Sequence, residues 1–350
     1  MKKKDKTWLN IIGLVVFLLS LPLFFRMGGG QIAMAEVLPG QAETGGLSFA
    51  ALFEREKKAV VSANLNTIGV DDVEFSKALA VSAGGRPLRV TAEELANMKD
   101  LQYLRSNYYI VDSRTSLLAG DIDVEQALSL DLTIKKTKQE PKVLIFHTHI
   151  HEGFADSDMS KGLSEGIWGV GEELKRILEE EYGIGVIHDG GQYDMVNGKG
   201  QTTGAYERME PPIREILKKY PSIEVCIDLH RDGVAEGTRL VTEIDGKSTA
   251  QVMFFNGLCR LNKNGTPQPI SGLENPYIKE NLAFSLQMKT AADQFYPDFT
   301  RKIYLNAYRF SLHFMPRSSL VEVGAQTNTK VEAKNAMKPL AQVLASVLTE

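Results

Sequence analysis

The sequence predicts an α/β fold in which a mainly parallel sheet is flanked by helices, preceded by a transmembrane helix and a small mixed α+β region. Three observations support this prediction. An apolar run covers residues 8–25, residues 47–138 mix helical and strand patterns, and from Pro141 onward apolar strands alternate with helices. Such alternation is typical of parallel sheets, because parallel neighbours need a long crossover connection between them.

The first 26 residues have the pattern of a cytoplasmic tip followed by a membrane anchor. Lysines precede the apolar run from Trp8 to Phe25, which is just long enough to span a bilayer. The lysine excess predicts a single-pass protein of the cell membrane, with a cytoplasmic N-terminus and the rest of the chain outside. Cleavage as a signal peptide is the alternative, but the candidate site Ala33-Met34-Ala35 lies well beyond the apolar run. We therefore expect an uncleaved anchor.

Two regions are expected between the anchor and the main domain. Residues 27–46 contain many Gly and Ala residues without periodicity, which is typical of a flexible stalk. Residues 47–138 are expected to form a small spacer or partner-binding region, with a helix capped by Thr91 and strands at NYYIVD and DLTIKK. This region contains no group with evident chemistry.

The main domain is predicted over residues 139–350. Its strands are VLIF, GVIH, IEVCIDL and SSLVEV, and helical patterns cover residues 170–182, 206–220, 278–295 and 331–348. Asp245-Gly246, between TRLVTEI and QVMFFNG, predicts a hairpin. In sheets of this class the ligand site lies beyond the carboxyl ends of the strands. Side chains at those ends are therefore the candidates for function.

Composition narrows the class of partner. The net charge is −4, and no basic block occurs outside the extreme N-terminus, so no binding to nucleic acid is expected. Two cysteines, Cys226 and Cys259, are too few for a disulfide framework. Cys226 lies inside an apolar strand pattern, which indicates a buried free thiol.

Half of the six histidines lie within five residues. They are His147, His149 and His151 in VLIFHTHIHEGF, and Glu152 follows at once. Alternate residues of an extended segment share one face, so His149 and Glu152 can bind the same ion only if the chain turns after the strand. Gly153 and the polar residues beyond it favour such a turn. Imidazoles clustered at a strand end indicate a metal site.

Two later strands also deliver titratable groups, because His230 follows IEVCIDL and Glu322 lies in SSLVEVG. Imidazole and carboxylate are typical ligands of catalytic zinc, which keeps one position for water. Hydrogen-bonded surface or ion-paired histidines are the structural alternative. An unpaired Glu322 in an apolar strand would be costly, which favours a functional carboxylate. The sequence thus predicts a zinc hydrolase. The two remaining histidines, His188 and His313, stand alone and are interpreted as structural.

Five segments, in this order and behind an N-terminal anchor, resemble the stage II sporulation protein P family: VLIFHTHIHEGF, VGEELKRILEEEYGIGVIHD, AYERM, YPSIEVCIDLHRD and SSLVEVGAQTNT. The resemblance covers about residues 90–350. That family comprises membrane-anchored cell-wall hydrolases of endospore-forming bacteria, with a catalytic domain similar to zinc-dependent N-acetylmuramoyl-L-alanine amidases. The resemblance therefore implies that residues 139–350 are a catalytic zinc amidase-like domain, with Zn2+ as cofactor.

The resemblance also implies a reaction, a setting and partners. The expected reaction is hydrolysis of the amide between N-acetylmuramic acid and the L-alanine of the stem peptide, so peptidoglycan glycan strands and stem peptides are the expected partners. The family is also credited with cleaving peptide cross-links. It acts with stage II sporulation proteins D and M in septal wall remodelling and engulfment of the forespore, which implies a place at the sporulation septum.

By motif position, the resemblance implies that His149, Glu152 and His230 bind the metal and that Glu322 acts in catalysis. Related amidases place the acidic ligand nearer the following helix, so Glu165 stays open as a rival to Glu152. His151 stands where the family usually has a hydroxyl, and either competes for the ion or contacts the substrate. Arg231 is expected either to stabilise the developing oxyanion or to bind a stem-peptide carboxylate.

Two other functions stay open at this point. One is a different zinc hydrolase of the wall, such as an endopeptidase or a polysaccharide deacetylase. The other is a non-catalytic wall-binding scaffold that recruits a partner hydrolase. A scaffold is expected to lose one of the three strand-end groups, and this sequence has all three.

Overall fold

The computed structural model describes residues 79–81 and 87–349 of the chain. The predicted tip and anchor (1–26), the stalk (27–46) and the first part of the predicted spacer lie outside the described residues. No helix within residues 79–81 and 87–349 is long and apolar enough to cross a membrane.

The helices of this part are α1 (Ala92–Met98), α2 (Leu101–Asn107), α3 (Val124–Ser129), α4 (Ile167–Glu180), α5 (Ala205–Lys219), α6 (Ile278–Phe295), α7 (Lys330–Asn335) and α8 (Met337–Thr349). The strands are β1 (Leu79–Val81), β2 (Pro87–Thr91), β3 (Tyr109–Val111), β4 (Val143–Phe146), β5 (Val186–His188), β6 (Met195–Val196), β7 (Lys199–Gly200), β8 (Val225–Asp232), β9 (Val241–Ile244), β10 (Lys247–Ala250), β11 (Val252–Gly257), β12 (Arg260–Lys263), β13 (Thr266–Pro269), β14 (Ile303–Asn306) and β15 (Ser318–Ala325).

A seven-stranded sheet occupies the centre, in the order β3-β14-β11-β15-β8-β4-β5. Its neighbouring strands are parallel except for β11 and β15, which are antiparallel. The sheet therefore consists of two parallel blocks that run in opposite directions. The prediction of a mainly parallel sheet flanked by helices is confirmed.

The two faces of the sheet are covered differently. On the first face, Ile145, Ile227 and Val321 belong to the large core that includes buried side chains of α4, α6 and α8. On the second face, Phe146 and Cys226 pack beneath Met209 and Ile213 of α5. Further along this face, Met253, Phe255 and Leu320 pack against Leu312 of the segment between β14 and β15. Cys226 is a buried free thiol, as predicted.

The predicted boundary at residue 138 does not separate two cores. Strand β3, which falls in the predicted spacer, pairs with β14 at the edge of the central sheet. Buried Leu88, Leu128 and Leu132 belong to the same core as the main domain. The side chain of Gln287 on α6 donates to the carbonyls of Ala127 and Leu130. Residues 87–138 are therefore part of the same packed unit, and DLTIKK is not a strand.

Local signals gave mixed results. Thr91 caps α1 as predicted, because its hydroxyl accepts from the backbone N–H of Glu94 at 3.1 Å. Asp245 and Gly246 form the predicted turn, with φ of 51° and 73°. However, the returning strand is β10, whereas the predicted partner VMFFNG enters the central sheet as β11. The predicted last helix is divided into α7 and α8.

Candidate active site

The chain turns directly after β4. Such a turn is required if His149 and Glu152 are to bind the same ion. Residues 148–151 form turns, and the backbone N–H of Glu152 donates to the carbonyl of His149 at 3.3 Å. The turn places both side chains beside His230. The ring centres of His149 and His230 are 5.5 Å apart, and Glu152 Oε2 lies 3.5 Å from His230 Nδ1.

His230 and Glu322 lie side by side on neighbouring strands. They are register partners of β8 and β15, so their side chains project from the same face of the sheet. Strand β8 continues to Asp232 and β15 continues to Ala325. The regular pairing of the two strands ends at this pair, because the register shifts between Glu322 and Ala325. Both groups therefore lie at the end of the regular ladder and project from the second face of the sheet.

A buried carboxylate orients His230. The Nε2–H of His230 donates to Asp228 Oδ1 at 2.7 Å, and Thr148 donates to the same carboxylate through its backbone N–H and its hydroxyl. Burial alone would lower the pKa of His230, but Asp228 and Glu152 raise it well above its usual range. Burial opposes ionisation of Asp228, yet His230 and Thr148 lower its pKa to about 2. Nδ1 of His230 thus faces Glu152.

Two polar atoms at the site are buried without a hydrogen-bond partner. One is Nδ1 of His149, whose pKa is lowered by burial and then by His230. The other is Oε2 of Glu322. Burial, Glu152 and Asp232 raise the pKa of Glu322 to about 8, although His230 acts in the opposite direction. Buried polar atoms without a hydrogen-bond partner are rare in folded proteins, so these two atoms mark a candidate functional site.

Arg231 fixes the loop that carries Glu152. Its backbone N–H donates to Glu152 Oε2 at 2.9 Å, and its Nε donates to the carbonyl of Gly153 at 3.1 Å. Its guanidinium also lies 3.9 Å from Glu152 Oε1. The side chain therefore positions the loop, and its predicted contact with substrate stays a prediction.

The other acidic candidate lies elsewhere. Glu165 ends a 3-10 turn, Leu163–Glu165, and forms an ion pair with Lys330. This pairing with Lys330 lowers the pKa of the Glu165 carboxyl. The structure therefore brings Glu152, and not Glu165, to His230.

His151 and His147 have separate partners. His151 is partly exposed, and its Nδ1 lies 2.8 Å from Asp194 Oδ1, while its backbone N–H donates to the same carboxylate at 3.0 Å. His147 is buried on the first face, where its Nδ1 donates to the carbonyl of Leu229 and its Nε2 lies 2.7 Å from Nε2 of His188. Burial lowers the pKa of His147 to about 3, so it is a neutral side chain that joins β4 to β8 and β5.

Sequence reasoning assigned no role to Tyr206 or Asp228. The ring of Tyr206, at the start of α5, lies edge-on to His149 with centres 5.8 Å apart. Burial, then Asp228 and Glu322, raise the pKa of Tyr206 well above its usual range. The spacing of Asp228 and His230 is a usable signal, because residues two apart on a strand share a face. No comparable signal exists for Tyr206.

The donor atoms fit zinc in part. No three His, Cys, Asp or Glu side chains in the part of the chain that the structure describes are arranged to hold a metal ion as they stand. Tetrahedral zinc with bonds of about 2.0–2.1 Å places its donors roughly 3.3 Å apart. The separation of His230 Nδ1 from Glu152 Oε2, 3.5 Å, is close to that spacing. The buried, unpartnered Nδ1 of His149 is a third donor of suitable chemistry.

The fold and the site together define an α/β protein with a buried cluster of histidines and carboxylates on one face of its central sheet. The family model for stage II sporulation protein P matches residues 86–345 of this chain. The chain belongs to that family, and the resemblance inferred from its motifs is confirmed. No curated protein matches the chain.

Several solved structures are similar at low identity. The N-acetylmuramoyl-L-alanine amidase AmiC2 of Nostoc punctiforme is 14% identical, with a TM-score of 0.33, over 61% of this chain and 97% of that one. An N-acetylmuramoyl-L-alanine amidase from Clostridium difficile 630 is 12% identical, with a TM-score of 0.35, over 59% and 96%. The CwlD amidase from Clostridioides difficile, in complex with the GerS lipoprotein, is 14% identical, with a TM-score of 0.35, over 59% and 95%. Because these identities and TM-scores are low, the chain is assigned to its family by the family model alone.

Proposed function

We propose that this chain is a peptidoglycan hydrolase that cleaves the amide between N-acetylmuramic acid and the L-alanine of the stem peptide. One observation carries the proposal. His230 and Glu322 stand in register on the same face of the sheet, beside Glu152 and the unpartnered Nδ1 of His149. Membership of the stage II sporulation protein P family supports the assignment to the cell wall.

The proposed cofactor is zinc, held by His149, Glu152 and His230. When bound, zinc supplies Lewis acidity, which polarises a carbonyl and acidifies water. Asp228 holds one proton of His230 on Nε2, so the lone pair of Nδ1 would be available to zinc once the other proton has left. The backbone N–H of Arg231 holds Glu152 in place.

Glu322 is the proposed proton carrier. It takes a proton from the attacking water, whose oxygen forms the new bond to the lactyl carbonyl carbon. It then gives that proton to the alanine nitrogen as the C–N bond breaks. The second proton of the water passes from the new carboxylic acid to the freed amine, so the products are a carboxylate and a stem peptide with a protonated N-terminus. Its Oε2 accepts no hydrogen bond within the described residues, which leaves this oxygen available for proton transfer.

The setting is part of the proposal. We infer that residues 8–25 tether the chain to the cell membrane, so that the catalytic domain acts outside it at the sporulation septum. There it would remodel the septal wall during engulfment, cleave peptide cross-links as well, and work in a complex with stage II sporulation proteins D and M. The motif resemblance and the lysine-flanked apolar run support this part.

A non-catalytic wall-binding scaffold is the second candidate. It is favoured by one observation, namely that no three donors in residues 79–81 and 87–349 are arranged to hold a metal as they stand. Metal analysis of the full chain, combined with mass spectrometry of digested peptidoglycan, separates the candidates. Free stem peptides indicate an amidase, shortened cross-links an endopeptidase, and acetate a deacetylase. Tight wall binding without products indicates a scaffold.

A further inference from the structure

A row of apolar side chains crosses the second face of the sheet toward its β3 edge. Leu320, Phe255, Tyr304 and Ile110 are register partners on β15, β11, β14 and β3, so they project from one face. Their exposure rises along the row, from 2% at Leu320 and 8% at Phe255 to 39% at Ile110. The row therefore begins in the core and ends at the surface.

This row shares its face with the candidate active site. Glu322 lies two residues after Leu320 on β15, so both side chains project from the same face. Ring contacts complete the connection. Phe310 lies 4.7 Å from Phe255 and 5.4 Å from Tyr206, and Tyr206 lies 5.8 Å from His149, measured between ring centres. A continuous series of rings thus leads from His149 to the surface.

The backbone holds one of these rings in an unusual conformation. Phe310 has φ of 52°, in the left-handed region that bulky residues rarely adopt. Strained residues of this kind persist only where the surrounding structure fixes them, and they cluster at functional sites. In this conformation, the ring of Phe310 lies between the rings of Phe255 and Tyr206.

The exposed end of the row carries a neutral polar border. Asp112 binds Arg114 through two hydrogen bonds and also accepts from the hydroxyl of Tyr304 at 3.0 Å. The guanidinium of Arg114 lies over the ring of Tyr308, 5.1 Å from its centre, and Tyr308 is 37% exposed. Because Arg114 is neutralised by Asp112, the border suits an uncharged ligand that offers both apolar faces and hydroxyl groups.

We infer that a strip formed by Ile110 and by the aromatic residues Tyr304, Tyr308 and Phe310 binds pyranose rings of a glycan strand. Sugar rings present C–H faces that pack on aromatic rings, and hydroxyl and acetamido groups that reach a polar border. The inference rests on the proposed function, since it is continuity with the active site that assigns the glycan of peptidoglycan to the strip. A charged stem peptide is a poorer match to a border without net charge.

The test is titration of the full chain with the tetramer of N-acetylglucosamine, which has no stem peptide and no scissile amide. Tyr308→Ala is expected to weaken binding about two- to tenfold, the range expected for one aromatic contact. Tyr308→Phe is expected to bind as the parent does. Ile110→Gln, at a second exposed position, is expected to weaken binding as well. On intact wall, Tyr308→Ala should raise KM and leave kcat unchanged.

Tyr220→Ala is the matched control, because Tyr220 also lies beneath a cation, Lys219, at 5.1 Å, but follows the far end of α5. It should bind the tetramer normally. Unchanged affinity in both Tyr308→Ala and Ile110→Gln, absence of binding by the parent, or Tyr308-dependent binding of free stem peptides alone would overturn the inference. If the parent binds the tetramer through Tyr308 but releases no stem peptides, the glycan-binding role of the strip would be supported and the proposed hydrolase activity would be contradicted.

Discussion

At the scale of single residues, the site depends on which groups hold the donors in place. Asp228 fixes the ring of His230, and Arg231 fixes the loop of Glu152. The contact of Arg231 with the Glu152 loop is not visible as a motif, because it joins residues far apart in the sequence. The contact of Asp228 with His230 joins residues two apart on one strand, so its spacing is a usable signal. His230 and Glu322 could be named from the sequence, since one follows and the other interrupts an apolar strand. His149 and Glu152 were assigned as ligands by the family resemblance.

The first prediction concerns the acidic ligand. Glu152→Gln is expected to lose zinc, because its carboxylate stands beside His230, whereas Glu165→Gln is expected to keep it, because Glu165 is paired with Lys330. Zinc content of the purified full-length variants is the measurement. Retention of zinc by Glu152→Gln together with loss in Glu165→Gln would move the ligand to Glu165. His151→Ala serves as the control and should keep a stoichiometry near one.

A second prediction concerns Asp228. Asp228→Asn keeps the shape of the side chain but removes the charge that holds the proton of His230 on Nε2. Replacing such an outer partner typically lowers metal affinity about 10- to 100-fold. Competition with a chelator of known affinity measures the change. Affinity equal to that of the parent would show that Asp228 has a structural role only.

At the scale of elements, glycine allows α4 to approach the sheet over the buried histidines. A Cβ on Gly171 would lie 2.7 Å from His188 Nε2 and 2.9 Å from His147 Nε2. These histidines join β4, β5 and β8 behind the candidate site. The close packing of α4 therefore supports the strand that leads into the His149 turn.

Gly171→Ala is accordingly expected to destabilise the protein by about 1–3 kcal/mol, the usual cost of overpacking a well-filled core. Thermal or denaturant unfolding followed by circular dichroism measures the difference. Gly200→Ala is the control, because a Cβ there meets nothing within 4 Å, and its effect should stay within about 0.5 kcal/mol. Equal stability of the two variants would contradict the packing argument.

The elements themselves were predictable to different degrees. Helix α6 was predicted with its observed limits, because its apolar pattern is long. The antiparallel placement of β11 and the entry of β3 into the sheet were not predicted, since strands of three to six residues carry no local signal of their partner. The same limit explains the misplaced boundary at residue 138.

At the scale of the whole molecule, residues 79–81 and 87–349 supply the core and the site, while the predicted tether precedes them. A lysine-flanked apolar run predicts that the full chain fractionates with membranes. Fractionation of cells followed by N-terminal sequencing measures this. Recovery of most of the protein as a soluble species that begins at Glu36 would contradict the uncleaved anchor.

The central claim is that one face of the sheet binds zinc through His149, Glu152 and His230 and uses Glu322 to move a proton. Zinc content and release of stem peptides from peptidoglycan, measured on the parent and on Glu322→Gln, test it most directly. The parent should hold one zinc and release free stem peptides. Glu322→Gln should retain zinc and bind peptidoglycan, yet release stem peptides at least roughly a hundredfold more slowly, because it cannot accept the proton. A Glu322→Gln protein that loses zinc would make Glu322 a ligand, and one that keeps zinc and nearly full activity would contradict the claim.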